Sequence, residues 1–373
     1  MTTQPDVVVI GGGVAGLATA YFLTKSGARV LILEREAIGC GASGTAAGIL
    51  SCFSESAVPP AYVQLAAASL RLHAEINPEI REETGQETLF GHTPQLRVAF
   101  DESELETLRR ALAIWDCGQV QFEFVDGDTA RRLEPYLAPE VVGALHARGD
   151  GQVDAYRYVL GLAAAGERRG AVVRHAQAVG LSRSNGRVTG VRLADGEIPC
   201  ERVVVALGPW SDVLADWFGL PVLVEPLKGQ IIRINAPEAN LSHVLHWHGA
   251  YVVRKLDGLV TAGTTEERVG FDRSITEAAR DTIVEGLMRL APSLAESRVV
   301  EQTACLRPIT GDGLPILGRV PGWDGAYLAT GMGRKGILLS AASGRSMAEL
   351  VLTGESAIDL SPFDPARFAP TPA

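Results

Sequence analysis

The run Val7-Val8-Val9-Ile10, followed at once by Gly11-Gly12-Gly13-Val14-Ala15-Gly16 and the apolar stretch Leu17 to Leu23, constrains the fold more than any other part of the chain. It reads as a buried strand, a glycine turn and a helix, the opening of a parallel βαβ unit. Gly11 permits the tight turn, Gly13 lets a pyrophosphate approach the backbone, and Gly16 lets the helix lie close on the strand. The helix N-terminus, with its unpaired N–H groups and positive dipole end, is then left to an anion. Eighteen residues after Gly16, at the end of a second strand Arg29-Val30-Leu31-Ile32-Leu33, Glu34 is placed to accept hydrogen bonds from a ribose. This order of elements supports a bound dinucleotide; the alternative is a βαβ unit with an empty turn.

The loop Ile38 to Ile49, Ile-Gly-Cys-Gly-Ala-Ser-Gly-Thr-Ala-Ala-Gly-Ile, bears on which dinucleotide it is. Small residues directly after the acid let main chain lie against a broad flat ring system, which favours FAD over NAD.

Composition narrows the rest. Acidic residues exceed basic ones by ten, and no basic run interleaves with aromatics, so nucleic acid is not an expected partner. The five cysteines (Cys40, Cys52, Cys117, Cys200, Cys305) are scattered, with no C-x-x-C pair, which argues against a disulfide framework, a zinc site or a dithiol centre. The first strand begins at about residue 6, leaving no room for a signal peptide. No apolar run reaches the roughly 18 residues needed to span a bilayer. A cytoplasmic protein without metal, assembling as a homo-oligomer, is the expectation.

Along the chain, Ser51 to Pro60 reads as a polar loop, Tyr62 to Thr84 as a helix, Gln95 to Phe100 as a strand, and Glu102 to Trp115 as an amphipathic helix capped by Asp101. Arg131-Arg132-Leu133-Glu134-Pro135 reads as solvated surface closing an insertion. A helix over Ala155 to Gly170 and the strand Ala171 to Arg174 precede a hairpin from Val179 to Leu193 that turns at Asn185-Gly186. The apolar run Val203 to Trp210 predicts a buried parallel strand ending with Gly208 at a ligand crevice. Val222 to Ile234 and Ala250 to Thr264 alternate as antiparallel strands, and Ile275 to Leu290 is a helix. The chain then crosses back through Thr303 to Pro308, a turn at Asp312-Gly313, the strand Ala326 to Thr330 and the turn Gly331 to Gly336 into a last helix from Ile337.

The fold class is therefore α/β: a Rossmann-type FAD-binding domain with an interleaved α+β substrate domain on a mixed, largely antiparallel sheet. The first takes residues 1–52, 142–221 and 303–362, the second 53–141 and 222–302, and 363–373 form a tail.

The N-terminal fingerprint, the loop Ala42 to Ile49, the phrase Leu306-Arg307-Pro308-Ile309-Thr310-Gly311-Asp312-Gly313-Leu314-Pro315-Ile316-Leu317-Gly318 and the stretch Gly331 to Gly344 together resemble the FAD-dependent D-amino-acid oxidase superfamily. Thr264-Thr265-Glu266-Glu267 leading to Gly270-Phe271-Asp272 is similar to its glycine oxidase branch, with D-amino-acid dehydrogenases and hydrogen cyanide synthase-like proteins alongside. The resemblance implies FAD contacts at Val14, Ala15, Glu34, Arg35, Ala42, Ser43, Ala47, Gly48 and Ile49, and an adenine contact at Val179. It further implies that Met332, Gly333, Arg334, Lys335, Gly336, Ile337 and Leu338 cover the flavin pyrimidine edge, and that Tyr251, Arg307 and Arg334 contact substrate. A helix start at Gly336 suits the negative charge that a reduced flavin carries.

The activity so implied is oxidative deamination of glycine, sarcosine or a small D-amino acid. Hydride transfer to flavin N5 from the carbon bearing a neutral amine needs orientation more than an acid or base. Arg307 would clamp the substrate carboxylate in bidentate fashion, with a hydrogen bond from Tyr251. The imino acid hydrolyses to a keto acid and ammonia, and O₂ is the expected acceptor. Alternatives are a D-amino-acid or hydroxyproline dehydrogenase using another acceptor, a nicotinamide-dependent flavin reductase, and a non-catalytic FAD-binding subunit. Met332-Gly333 departs from the His-Phe pair usual in glycine oxidases, which removes an aromatic wall and makes room for a larger or apolar side chain. His246 and His248 read as scaffold. Cys305 is similar in position to a cysteine that holds FAD covalently in monomeric sarcosine oxidases, although non-covalent FAD is the expectation here.

Overall fold

The structure is a computed structural model that describes residues 4–53, 58–115, 118 and 120–369. Cys117, the middle of the polar loop (54–57) and the end of the tail (370–373) lie outside the described residues.

Val7–Ile10 sits in the interior of a six-stranded sheet ordered Ile316–Arg319, Ala326–Thr330, Val203–Val205, Val7–Ile10, Val30–Glu34, Val172–His175. All neighbours are parallel except the antiparallel edge strand Ile316–Arg319. Successive side chains of a strand point to opposite faces, and the two cores divide accordingly. Val7, Val9, Ile32 and Val204 pack with the helices Val14–Lys25, Ala155–Arg168 and Gly336–Thr353. Val8, Ile10, Leu33, Val203 and Val205 pack against a small antiparallel sheet, Ala178–Ser184, Arg187–Leu193 and Gly196–Pro199. Its hairpin turns at Asn185 and Gly186, both with positive φ, as the two-residue turn demands.

A second sheet has eight strands in the order Arg298–Thr310, Val224–Asn235, Val260–Gly263, Ala250–Arg254, Val244–Trp247, Gln95–Ala99, Gly143–Arg148, Gln121–Asp126. It is antiparallel apart from the Val244–Trp247 and Gln95–Ala99 pair. The helix Glu277–Leu290 covers one face, burying Ile283, Leu287 and Leu290 on Ile232, Val252 and Val260. The expected class, a Rossmann-type lobe interleaved with a second lobe on a largely antiparallel sheet, is the architecture observed.

Local differences have physical causes. The strand expected to run to Trp210 stops at Val205, and Gly208–Val213 is a 3₁₀ helix, because Pro209 has no N–H for a ladder and its fixed φ suits a first helical turn. Asp101 caps Glu102–Trp115 by accepting from the Glu104 N–H at 2.9 Å. Glu134, read as solvated surface, is instead fully buried; its carboxylate accepts from the N–H groups of Ser242 (2.8 Å) and His243 (3.1 Å), supplying acceptors where the strand Val244–Trp247 begins. The expected boundary at 302/303 falls inside Arg298–Thr310, which pairs along its whole length with Val224–Asn235. Gly143–Arg148 likewise belongs to the eight-stranded sheet. We propose that the second lobe takes in both strands.

The first and last helices meet at Gly344, where a Cβ would lie 2.6 Å from the carbonyl carbon of Ala18 and 2.7 Å from its Cβ. Gly344→Ala is expected to lower unfolding free energy by about 1–3 kcal/mol in chemical denaturation. Gly311→Ala, where nothing lies within 4 Å, should leave it within about 1 kcal/mol of the parent.

Candidate active site

The turn after Val7–Ile10 is shaped by close backbone contacts. A Cβ on Gly11 (φ +115°) would fall 2.3 Å from the Ala206 carbonyl oxygen, and one on Gly16 would fall 2.1 Å from that of Gly11. The helix Val14–Lys25 has Gly13 at its N-cap, which brings no side-chain cap of its own, and the Val14 N–H donates to the Ser43 hydroxyl at 3.0 Å. A cavity of about 1010 Å³ opens from this turn. Its walls include Glu34, Arg35 and Val179 on the nucleotide side, the small-residue loop Ala42 to Ile49, and Gly208. Met332 to Leu338 line it as well, as do Tyr251 and Arg307. Gly16 alone among the expected site residues stands outside the wall, packed beneath the turn.

These features fit FAD. Beyond the Val14 N–H, the first turn of this helix has N–H groups left for a pyrophosphate, and a wall of small residues leaves room for a flat ring. Glu34 accepts from the Gly12 N–H at 2.7 Å and the Glu36 N–H at 2.8 Å, so it also braces the turn, and each oxygen retains a lone pair for a ribose hydroxyl. The Arg35 guanidinium stacks 4.5 Å above the Trp210 ring, which stacks in turn on Phe271.

The far wall is one face of the eight-stranded sheet. Thr303, Ile231, Gly263, Tyr251, His246 and Arg97 are successive partners across neighbouring strands, which puts them in a row on that face. Ile231, Tyr251, His246 and Arg97 line the cavity, while the next residues along, Ile232, Val252, Leu245 and Leu96 or Val98, lie in the core on the helix side. Cys305 and Arg307 follow Thr303 by two and four residues and so share its face.

Two glycines in this wall make the arrangement possible. A Cβ on Gly229 would lie 2.1 Å from the Arg307 guanidinium, and one on Gly263 would lie 2.6 Å from the Tyr251 hydroxyl. Arg307 thus folds flat over Gly229, donating to the Thr264 hydroxyl at 2.6 Å and the Thr265 carbonyl at 3.1 Å. Both acceptors are neutral, so its charge stays available to an anion. Burial pushes the Tyr251 phenol well above its ordinary value, with nearby Arg307 acting the other way, so the hydroxyl keeps its proton and can donate.

Arg334 and Lys335, both expected to meet ligand, are engaged with protein groups. Arg334 makes a two-pronged ion pair with Glu266, its Nη2 lying 2.6 Å from Oε2. The Lys335 ammonium donates to the carbonyls of Ser51 (2.7 Å) and Phe53 (2.8 Å), so its side chain serves the loop, and main chain at the start of Gly336–Thr353 is what remains for a flavin edge. Arg97 donates to the same Phe53 carbonyl and stacks on the Phe53 ring. Beneath, buried Asp150 accepts from the Cys52 N–H at 3.3 Å. Burial pushes Asp150 up to about 6, and burial with Arg97 nearby pushes Lys335 down to about 8. His246 bonds Gln95 and His248 bonds Glu104. Burial holds His246 neutral, well below its ordinary value.

Gly229, Gly263, Arg97 and Asp150 escaped the sequence reading as site residues, and Glu266 entered it only within the phrase Thr264 to Glu267, with no role assigned. Gly229 and Gly263 carried a signal, since glycine inside an alternating strand marks a close approach by another group.

Two interleaved lobes around a dinucleotide cavity that ends at an arginine and a tyrosine define a cofactor-dependent redox protein. The family model for FAD dependent oxidoreductases matches residues 6–350, and the chain belongs to that family. It is 34% identical to a glycine oxidase from Geobacillus kaustophilus over 369 residues, covering 98% of each chain. Identity to a glycine oxidase from Pseudomonas putida is 32%, covering 96% of this chain and 98% of the relative. The crystal structure of a glycine oxidase from Geobacillus kaustophilus superposes with a TM-score of 0.93 at 31% identity, covering 100% of both chains.

Gly229→Ala is expected to keep FAD but weaken acetate, a carboxylate probe, by about tenfold or more, as read from the perturbed flavin spectrum; unchanged acetate affinity would show that Arg307 is not held by this packing. Asp150 has a folded value of about 6 against an ordinary 3.8, so the stability it lends below about pH 4 is lost as pH rises through 6. Asp150→Asn should therefore gain on the parent by about 2–3 kcal/mol between pH 4 and pH 6.5 in denaturant titrations, and a flat difference would contradict this.

Proposed function

We propose that this FAD-dependent oxidoreductase oxidises a small amino acid, with glycine, sarcosine or a D-amino acid as the substrate class and O₂ as the final acceptor. What carries the reading is the Arg307 guanidinium, held over Gly229 by two neutral oxygens and facing the same cavity as the dinucleotide turn. A free amine gives no reason for such a group; a carboxylate does.

Bound FAD would supply the two-electron acceptor for the hydride that leaves the carbon bearing the amine, the second hydrogen leaving the nitrogen as a proton. The protein's part is orientation. Arg307 binds the carboxylate with its remaining donors, and the protonated Tyr251 hydroxyl adds a hydrogen bond from the adjacent wall. With the acid end fixed, the amine-bearing carbon is directed at the ring instead of tumbling in the cavity. The main chain at the start of Gly336–Thr353 supplies N–H groups for the charge that builds on reduction. The imino acid released to water hydrolyses to a keto acid and ammonia, or methylamine where the substrate is sarcosine. Among the described residues, a Cβ added at Gly333 would meet only Ile309 within 4 Å, which supports room for a substrate side chain larger than hydrogen. The turn, the helix start and the small-residue loop offer enough contacts to retain FAD without a bond to Cys305.

Arg307→Leu is expected to keep FAD but slow its anaerobic reduction by amino acids at least about 100-fold, since the clamp acts on both binding and alignment. In air, the parent protein should release hydrogen peroxide on substrate addition. Turnover of Arg307→Leu at the parent's rate would refute the assignment.

A further inference from the structure

Of the guanidinium groups at the substrate end of the cavity, Arg97 is turned to the Phe53 carbonyl, and the other two, Arg307 and Arg334, are in opposite electrostatic states. Arg307 has neutral partners, the Thr264 hydroxyl and the Thr265 carbonyl. Arg334 is met by a carboxylate on two of its nitrogens, Nε and Nη2, each to a different oxygen of Glu266. This is the fork geometry by which an arginine would take a carboxylate ligand, and Glu266 already fills it. Arg334 and, more weakly, Arg307 hold the Glu266 carboxyl below its ordinary value, so it stays ionised at neutral pH.

The seating of Glu266 is tied to that of Arg307. It directly follows Thr264 and Thr265, the two residues whose oxygens accept from Arg307, and it lines the same cavity as both arginines. A ligand gripped by Arg307 therefore presents the rest of its structure to a wall that already contains a carboxylate. We infer that Glu266 sets the charge selectivity of the site: by occupying Arg334 it withholds that cation from a second acid group on the ligand, and so favours monocarboxylic substrates over dicarboxylic ones. A second carboxylate would have to displace Glu266 from its fork or lie beside it uncompensated. A neutral or apolar side chain meets neither obstacle, so discrimination comes from repulsion and not from added attraction.

The inference rests on the functional reading above, in which Arg307 takes the first carboxylate, and its test separates the two. FAD-loaded parent and Glu266→Gln proteins are titrated with acetate and with malonate, neither an amine, following the perturbation of the visible flavin band. Glu266→Gln is expected to bind malonate about tenfold or more tighter while acetate changes by less than about threefold. Adding Arg334→Gln should abolish the malonate gain. Equal changes for both acids, or a malonate gain that survives Arg334→Gln, would overturn the inference and leave the role of Arg307 standing. If neither acid perturbs the flavin of the parent protein, the functional reading falls and this inference falls with it. Glu266→Ala serves as a second variant, and a native flavin spectrum in each protein establishes that it is folded.

Discussion

The rest of the site depends on how one arginine is held, by hydrogen bonds to neutral oxygens instead of to a carboxylate. Arg307 lies on a long strand whose partner carries glycine where the guanidinium must pass, and its hydrogen bonds go to a hydroxyl and a carbonyl. Bringing a half-buried cation to a cavity wall with its hydrogen bonds on neutral oxygens, and the Glu266 carboxylate committed to Arg334, is unfavourable unless a ligand supplies an anion. The sheet tolerates it because the guanidinium is fixed by two neutral oxygens and lies flat against main chain. Tyr251, packed over Gly263 by the same device, adds a donor of fixed position. Both side chains lie on the face of the sheet that the helix Glu277–Leu290 leaves uncovered.

The buried charges around Ser51 to Phe53 play another part. Lys335 and Arg97 converge on main-chain carbonyls there, and Asp150 takes the Cys52 N–H from below. Three ionisable groups thus fasten one short stretch of the cavity wall. Burial drives Asp150 up and Lys335 down, toward their neutral forms, which is how such a cluster limits its desolvation cost.

Much of the fold was legible because the signals were local. A strand, glycines at fixed spacing and a helix can be read from one short stretch of chain, and Asp101 announced its helix by capping chemistry that needs no tertiary context. Arg307 and Tyr251 were legible as a pair through resemblance, although nothing in their spacing says that the strands Val224–Asn235 and Val260–Gly263 lie between theirs and set them on one wall. What stayed hidden was set by pairing between distant segments. Glu134 looks like part of a charged surface run until a distant segment of the chain delivers two N–H groups to it. Glu266 looks like any acid in a polar loop until Arg334 meets it. Pro209 marked the 3₁₀ turn that follows its strand, yet the apolar residues before it and Trp210 after it masked the signal.

The central claim is that an acid group, held by Arg307, is what aligns an amine for oxidation. It is tested most directly by anaerobic reduction of the FAD-loaded protein with glycine, sarcosine and D-alanine, each set against its counterpart lacking the carboxylate: methylamine, dimethylamine and ethylamine. The account predicts that at least one of the amino acids bleaches the flavin while its decarboxylated counterpart at the same concentration does not. Bleaching at comparable rates by an amino acid and its counterpart would contradict it.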